Sequence, residues 1–197
     1  MYEIAERLGP IAVELLTCWS RLPARGCVPD RKSFDPMAIA RILPVVSVLE
    51  RVGTDEWRFR LVGTEIERRW ARTITGRDCL EIVSPDAARI MRREFKEIVE
   101  QPCGSWSRRR VELVSGRLAA IETLRLPLRA NDGTISLILS CSGELSGAAA
   151  AGTDPLREII MISEQEYFDI GAGCPATDAI AATAVYRAIP SAPAGTS

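Results

Sequence analysis

The chain has 197 residues, of which 47% are hydrophobic and 26% are charged, and a chain of this kind can bury a core without disulfides or metals. Its net charge is −1, which argues against partners such as nucleic acid or a membrane surface. It contains no histidine. This excludes histidine-based catalytic triads and dyads, histidine-ligated haem and mixed Cys/His zinc sites.

The cysteines and the start of the chain favour a cytoplasmic location. Six cysteines are scattered at spacings that match no metal site or disulfide framework: Cys18, Cys27, Cys79, Cys103, Cys141 and Cys174. Glu3 and Glu6 lie where a secretory signal would be apolar, and no apolar run approaches the roughly 20 residues of a membrane span. We expect the cysteines to act as small hydrophobic residues in a reducing compartment.

The first 22 residues have the pattern of an amphipathic helix. Their apolar residues recur at steps of three and four, at Ile4, Leu8, Ile11, Leu15, Cys18 and Leu22. Pro10 fits the first turn of a second helical segment that follows Gly9. Such a stripe must be covered, either by the protein's own sheet or by a second copy of the chain, and periodicity does not choose between them.

A connector over residues 23–33 and a short helix beginning at Asp35-Pro36 lead into a hairpin with strands at 45–52 and 57–61. In its second strand Trp57, Phe59 and Leu61 alternate with two arginines, so these three apolar side chains are predicted to share one face.

Helical segments over residues 65–71 and from Ser84-Pro85-Asp86 to Pro102 connect this hairpin to three more strands. Those strands are predicted at 105–114, 118–128 and 134–141, and an Asn-Asp-Gly turn joins the last two. The order predicts an α+β fold, a five-stranded antiparallel sheet with crossover helices on one face and an N-terminal helix.

The composition changes after residue 143. The predicted organisation is an N-terminal helix over 1–22, a domain over 23–143 and a loosely structured tail over 144–197. Within the tail, residues 156–162 fit either a short strand or a helix.

Several short motifs between residues 15 and 143 carry a resemblance to a known family. They are Trp19, Pro29-Asp30-Arg31, Phe34-Asp35-Pro36, Leu43-Pro44, Phe59-Arg60-Leu61-Val62-Gly63-Thr64 and Thr75-Gly76-Arg77 leading into Leu80. In this order and spacing the chain resembles a PAS domain, and more specifically the small stand-alone bacterial PAS proteins. The resemblance implies a sensory or regulatory signalling module.

The PAS resemblance implies a cavity between the inner face of the sheet and the crossover helices. Residues predicted to line it are Trp57, Phe59, Leu61, Trp70, Leu80, Ile90 and Met91. Such a cavity suits a small apolar or amphipathic ligand, whereas a filled core without ligand is the alternative. No cofactor is predicted, because a haem-binding PAS domain usually supplies a histidine, and Cys79 stands in Arg-Asp-Cys-Leu-Glu, unlike the polar motif of flavin photosensors.

Charged residues suggest two further hypotheses. Arg108-Arg109-Arg110 with Arg68, Arg69, Arg92 and Arg93 could form an anion site, but a solvated surface balanced by Glu65, Glu67, Glu94 and Glu97 is the favoured interpretation. Asp35 and Arg60 would form an ion pair, unless they are a helix cap and a solvated arginine.

The predicted function is that of a PAS-type signalling module that binds a small ligand or a protein partner, acts as a homodimer or with that partner, and has no catalytic output. Two alternatives remain open. One is an interaction adaptor with a filled core, and the other is a small enzyme that uses carboxylates such as Glu122.

Overall fold

The computed structural model describes residues 2–145, 154–175 and 186–187. Its helices lie where local signals in the sequence predict them. The α-helices within these ranges are α1 (Tyr2–Ala5), α2 (Pro10–Ser20), α3 (Thr64–Arg69) and α4 (Pro85–Glu100). Short 3-10 helices span Arg31–Ser33, Pro36–Ile39 and Leu43–Val45. The Ser84 hydroxyl caps α4 by accepting from the backbone N–H of Ala87. None of the described helices is long and apolar enough to cross a membrane.

The strands form two sheets. A small hairpin pairs β1 (Ala24–Arg25) with β2 (Val28–Pro29). The main sheet is built from β3 (Val46–Arg51), β4 (Trp57–Val62), β5 (Cys103–Leu113), β6 (Leu118–Arg129), β7 (Ile135–Glu144), β8 (Leu156–Asp169) and β9 (Tyr186–Arg187). Its spatial order is β4-β3-β7-β6-β5-β8-β9, and every neighbouring pair is antiparallel. The predicted α+β fold with an antiparallel sheet and helical crossover is confirmed.

The sheet is larger than the five strands predicted. In the described residues it has seven, because β8 pairs with β5 along the whole of β5 and β9 adds to β8. The expectation of a loosely structured tail is therefore wrong for residues 156–169, which form a 14-residue strand. Without β8, β5 would present an open edge of unpaired backbone groups. Residues 146–153, 176–185 and 188–197 of the predicted tail lie outside the described residues.

The N-terminal stripe is covered by the protein's own sheet. Ala12, Leu15, Leu16 and Trp19 of α2 are buried in one core cluster with alternate residues of the central strands. Those strand residues are Leu124, Leu126, Leu128, Leu137, Leu139 and Cys141. The Trp19 indole N–H also donates to the backbone carbonyl of Pro127 at 2.9 Å. Of the two coverings that the sequence left open, the structure shows the protein's own sheet, with Leu8, Ile11, Cys18 and Leu22 of the stripe packed against it and half-buried.

The crossover packs on the opposite, inner face of the sheet. Phe95 and Ile98 of α4 lie in a second core cluster with Ile138 of β7. The flanking residues Leu137 and Leu139 belong to the first cluster, which α2 covers on the outer face of the sheet. Trp57 is buried here against Phe95, with ring centroids 5.2 Å apart. The prediction that Trp57 and Phe59 point towards the crossover is therefore confirmed.

A β-bulge in β4 corrects the predicted position of Leu61. Leu49 pairs with Phe59 but the preceding Val48 pairs with Leu61, so Arg60 is the extra residue. The insertion reverses the alternation after Phe59, and Leu61 is 36% exposed instead of lying on the inner face. Val62 takes the inner position and packs against the core there.

The hypothesis of an ion pair between Asp35 and Arg60 is wrong. Arg60 pairs with Glu50 at 2.8 Å across the β3–β4 hairpin. The Asp35 carboxylate accepts instead from the backbone N–H of Met37 at 2.9 Å and caps the short helix that follows.

Two motif glycines lie where backbone segments meet. The Gly63 N–H donates to the Val46 carbonyl at 2.8 Å, and a side chain at this position would overlap the carbonyl oxygens of Leu43 and Pro44. Gly76 has a φ of +82° and donates its N–H to the carbonyl of Phe59. The motif segment around Gly76 therefore covers the outer edge of β4.

Candidate functional site

A cavity of about 110 Å³ lies between the inner face of the sheet and the crossover. Its apolar wall includes residues of the crossover and the hairpin: Leu49, Phe59, Ile66, Trp70, Cys79, Ile82, Val83, Met91 and Phe95. Its polar lining comes largely from inner-face positions of the sheet and from α3: Ser47, Arg69, Arg109, Thr123, Arg125, Ser140 and Ser142. The cavity is therefore amphipathic, and the sheet also contributes the apolar residues Val111, Ile121 and Leu156 to its lining.

The sheet register explains why the polar side is continuous. Residues paired directly across neighbouring strands stand side by side on one face. One such row crosses the inner face through Ser47, Ser140, Arg125 and Ser105. The adjacent row runs through Ser142, Thr123 and Ser107, and the Thr123 and Ser142 hydroxyls lie 3.3 Å apart.

A buried ion pair lies behind this polar surface. Glu94 of α4 is 1% exposed and accepts hydrogen bonds from Arg125 at 2.8 Å and from the Ser105 hydroxyl at 2.5 Å. The second carboxylate oxygen of Glu94 lies 4.0 Å from Arg109. The guanidinium of Arg125 also lies 5.4 Å above the ring of Phe95. This network attaches the crossover helix to β5 and β6 through charge as well as apolar contact.

Arg69 enters the cavity from α3 in a different way. Its guanidinium donates to the backbone carbonyl of Ser142 at 3.2 Å and lies 3.5 Å from the Ser142 hydroxyl. No carboxylate within the described ranges lies within ion-pair distance of it. Burial lowers the pKa of Arg69, because a partly desolvated guanidinium loses the hydration that favours its charged form.

The structure places the seven predicted lining residues in three groups. Phe59, Trp70 and Met91 line the cavity. Trp57 and Leu80 are buried in the core beside it, and Ile90 packs against that core from a half-buried position. Leu61 lies away from the site because of the bulge at Arg60. A ligand-binding role for these residues stays a prediction.

The prediction missed the charged side of the cavity. The proposed anion cluster is not one patch, because Arg109 and Arg69 line the cavity whereas Arg108 lies on the outer face and Arg110 is exposed. Arg68 pairs instead with Glu65, and Arg93 with Glu97. The sequence does contain a signal for the polar lining. Ser105, Ser107 and Arg109 alternate along one strand, and Thr123 and Arg125 along the next, within otherwise apolar segments.

Glu122, the candidate acid of an enzyme, lies on the outer face and not in the cavity. Its carboxylate accepts from the backbone N–H of Gly9 at 3.0 and 3.1 Å and from the indole N–H of Trp106 at 2.9 Å. These bonds hold the start of α2 against β5 and β6, which is a structural role.

The buried thiols provide a direct test of this arrangement. Burial raises the pKa of Cys79, and it raises the pKa values of Cys103 and Cys141 to about 12, so all three stay protonated at pH 8. We expect iodoacetamide at pH 8 to alkylate exposed Cys174 in the native protein, whereas these three react only after unfolding. Peptide mass spectrometry measures the rates, and alkylation of Cys79 as fast as Cys174 would contradict the buried placement.

Comparisons with known proteins agree with this architecture. The sequence profile described as "PAS domain" matches residues 10–142, which is more than half of the chain. No curated protein shows significant similarity to this chain.

Solved structures similar to the chain include light-oxygen-voltage (LOV) proteins. The Rhodobacter sphaeroides LOV protein is 12% identical and has a TM-score of 0.40, with coverage of 60% of this chain and 73% of that one. An RNA-binding light-oxygen-voltage receptor is 15% identical over 63% and 36% of the two chains, with a TM-score of 0.41. A fungal LOV domain photoreceptor is 17% identical over 58% and 94%, with a TM-score of 0.36.

Family membership follows from the profile match, which spans α2, the crossover helices, strands β3 to β6 and most of β7. The chain therefore belongs to the PAS domain family and is a sensory signalling module.

Proposed function

We propose that the cavity of this PAS module binds a small amphipathic molecule and that binding is passed to a partner protein or a second copy of the chain. The observation that carries the proposal is the polar inner face of the sheet. A filled core would place apolar side chains there, because buried hydroxyls and guanidinium groups cost free energy unless they are paired. Here they face an open volume of about 110 Å³.

The strand β6 connects the cavity to the N-terminal segment. Ile121 and Thr123 line the cavity, whereas Glu122 between them points to the outer face and binds the N–H of Gly9. A shift of β6 that accommodates a ligand would change the position of the Glu122 carboxylate. The start of α2 is therefore the proposed receiver of the signal.

A second set of contacts holds the same segment from the side of β8. Arg7 pairs with Glu164 at 2.9 Å and with Glu166, and its guanidinium lies 4.6 Å above the ring of Trp106. Arg108 pairs with Glu164 at 3.2 Å and donates to the backbone carbonyl of Arg7. Each of these partly exposed ion pairs contributes little to stability, so a conformational change can break them at low cost in free energy.

We propose that the module has no catalytic output of its own. The titratable groups that line the cavity are arginines, which do not exchange protons near neutral pH, and Cys79, whose thiol is kept protonated by burial. We also propose a cytoplasmic setting, which is supported by the use of Cys79, Cys103 and Cys141 as buried hydrophobic residues. A bacterial origin is proposed only from the resemblance of the motifs to stand-alone bacterial PAS proteins.

Native mass spectrometry on freshly purified protein, followed by hydrogen exchange, tests this function. We expect a co-purifying small molecule, and we expect its removal by dialysis to increase amide exchange in residues 4–20, with little change in β7 at the centre of the sheet. A protein without bound molecule whose exchange is unchanged by any added ligand would contradict the sensor. If such a protein still captured a stable partner, the adaptor would be the better explanation.

A further inference from the structure

Given that the cavity binds a ligand, as proposed above, we infer that this ligand is a short-chain carboxylate held through its carboxyl group by Arg69 and Arg125, with its apolar end against Phe59 and Trp70. The inference deepens the proposed function by naming the chemical class of the ligand. It rests on the charge, hydrogen bonding and size of the cavity.

The cavity lining carries an excess of positive charge. The cavity lining contains Arg69, Arg109 and Arg125, and none of the described lining residues is acidic. The nearby carboxylate of Glu94 bonds to Arg125 and lies 4.0 Å from Arg109. Glu144, outside the lining, also acts on Arg69 and opposes the lowering of its pKa by burial. Two carboxylates, Glu94 and Glu144, thus offset three guanidinium charges that cannot be removed by deprotonation. An anion is the ligand that restores balance, because partly buried charges are costly without a counter-charge.

The guanidinium groups of Arg69 and Arg125 have donors that are not fully used by the protein. Arg69 has neutral acceptors, both on Ser142, and no carboxylate in the described part of the chain within ion-pair distance. The Arg125 side chain is 6% exposed, and its Nε has no hydrogen-bond partner among the described residues. A guanidinium presents a planar fork of donors that matches the two oxygens of a carboxylate.

Hydroxyl groups next to these arginines add donors for the same head group. Ser142 and Thr123 lie side by side on the polar row, with Ser140 and Ser47 in the adjacent row. The opposite wall, formed by Phe59, Ile66 and Met91, offers no hydrogen-bonding side chain. The polar end of a ligand is therefore directed towards Arg69 and the polar rows on β6 and β7, and its apolar end towards Phe59, Ile66 and Met91.

The volume of the cavity limits the size of the ligand. An apolar cavity of about 150 Å³ accommodates benzene, so a volume of about 110 Å³ suits a molecule of about four to six non-hydrogen atoms. This excludes nucleotides as enclosed ligands. A phosphate ion would fit by size, but it would leave the aromatic and aliphatic wall without a contact. A short fatty acid satisfies both sides.

Isothermal titration calorimetry with sodium butyrate, at constant ionic strength, tests the inference. Butyramide is the neutral control of the same shape, and inorganic phosphate tests whether charge alone is sufficient. We expect butyrate to bind and butyramide to bind about 10- to 100-fold more weakly, because it loses the charge-assisted hydrogen bonds. Equal affinity for butyrate and butyramide, or binding of phosphate but not of butyrate, would overturn the inference.

Arg69→Met and Arg68→Met are the matched variants. Arg68 precedes Arg69 in the same helix but is exposed and paired with Glu65, so its replacement should leave butyrate binding unchanged. Arg69→Met should abolish binding, whereas Arg69→Lys keeps the charge and should retain part of the affinity. Circular dichroism melting establishes that each variant is folded, and full butyrate affinity in folded Arg69→Met would contradict the assignment.

The outcomes separate this inference from the proposed function. If neutral butanol or butyramide binds as well as butyrate and increases protection of residues 4–20, the sensor stands and the carboxylate is wrong. If neither the acid nor the neutral probes bind at millimolar concentration, the inference is overturned, and the co-purification experiment decides the sensor independently.

Discussion

Glu94→Ala is expected to lower the free energy of unfolding by about 3–5 kcal/mol, because it removes one partner of a buried ion pair. Glu94 is almost completely buried, and the Arg125 guanidinium that it binds is 6% exposed. After the substitution Arg125 would stay charged inside the core with Ser105 as a weaker neighbour. Urea denaturation followed by circular dichroism measures the change.

Two comparisons isolate the buried charge as the cause. Glu100→Ala, in the last turn of the same helix, removes a carboxylate that pairs with Arg51 near the surface and should cost less than about 1 kcal/mol. The double variant Glu94→Leu with Arg125→Met removes both charges and should be more stable than Glu94→Ala alone. A loss for Glu94→Ala as small as that for Glu100→Ala would show that the pair is solvated in solution.

Removal of residues 1–22 is expected to convert the protein into an aggregating or oligomeric species. The outer face of the sheet would lose α2 and expose Leu124, Leu126, Leu139 and their neighbours, each of which contributes about 1.5–3 kcal/mol when buried. An uncovered apolar sheet face of this kind associates with other copies. Size-exclusion chromatography with light scattering, together with dye binding to exposed apolar surface, measures the change.

Point substitutions in α2 provide the control for this truncation. Leu15→Ser places a hydroxyl in the buried interface, whereas Val13→Ser changes an exposed position of the same helix. We expect Leu15→Ser to lower the melting temperature and Val13→Ser to leave it nearly unchanged. A truncated protein that remained monomeric with an unchanged melting temperature would show that α2 does not cover the sheet in solution.

Elements specified by neighbouring residues could be predicted from the sequence. The cap at Ser84 followed by Pro85 gives the start of α4, and the alternation of Trp57 and Phe59 gives the first half of β4. The Asn131-Asp132-Gly133 turn joins β6 to β7 as predicted. Caps, turns and side-chain alternation are local properties of the chain, and the motifs that run through them were sufficient for the family.

The candidate site depends on partners that are distant in sequence. Alternation shows that Leu124 and Arg125 lie on opposite faces of β6, but only the packed sheet shows that the leucine meets α2 and the arginine meets α4. The sequence of α4 likewise does not show that Glu94, beside the buried Phe95, is directed inwards, because its partner Arg125 lies 31 residues away.

Local sequence thus determined the order and type of the main helices and strands through residue 141, although not the small β1–β2 hairpin, and with them the PAS-like framework. The tertiary structure alone decided the pairing of β8 with β5, the reversal of Leu61 at the bulge and the polar lining of the cavity. The reason is physical, because capping and alternation act between residues a few positions apart. Strand pairing, face selection and charge pairing depend on which distant segments come together when the core is buried.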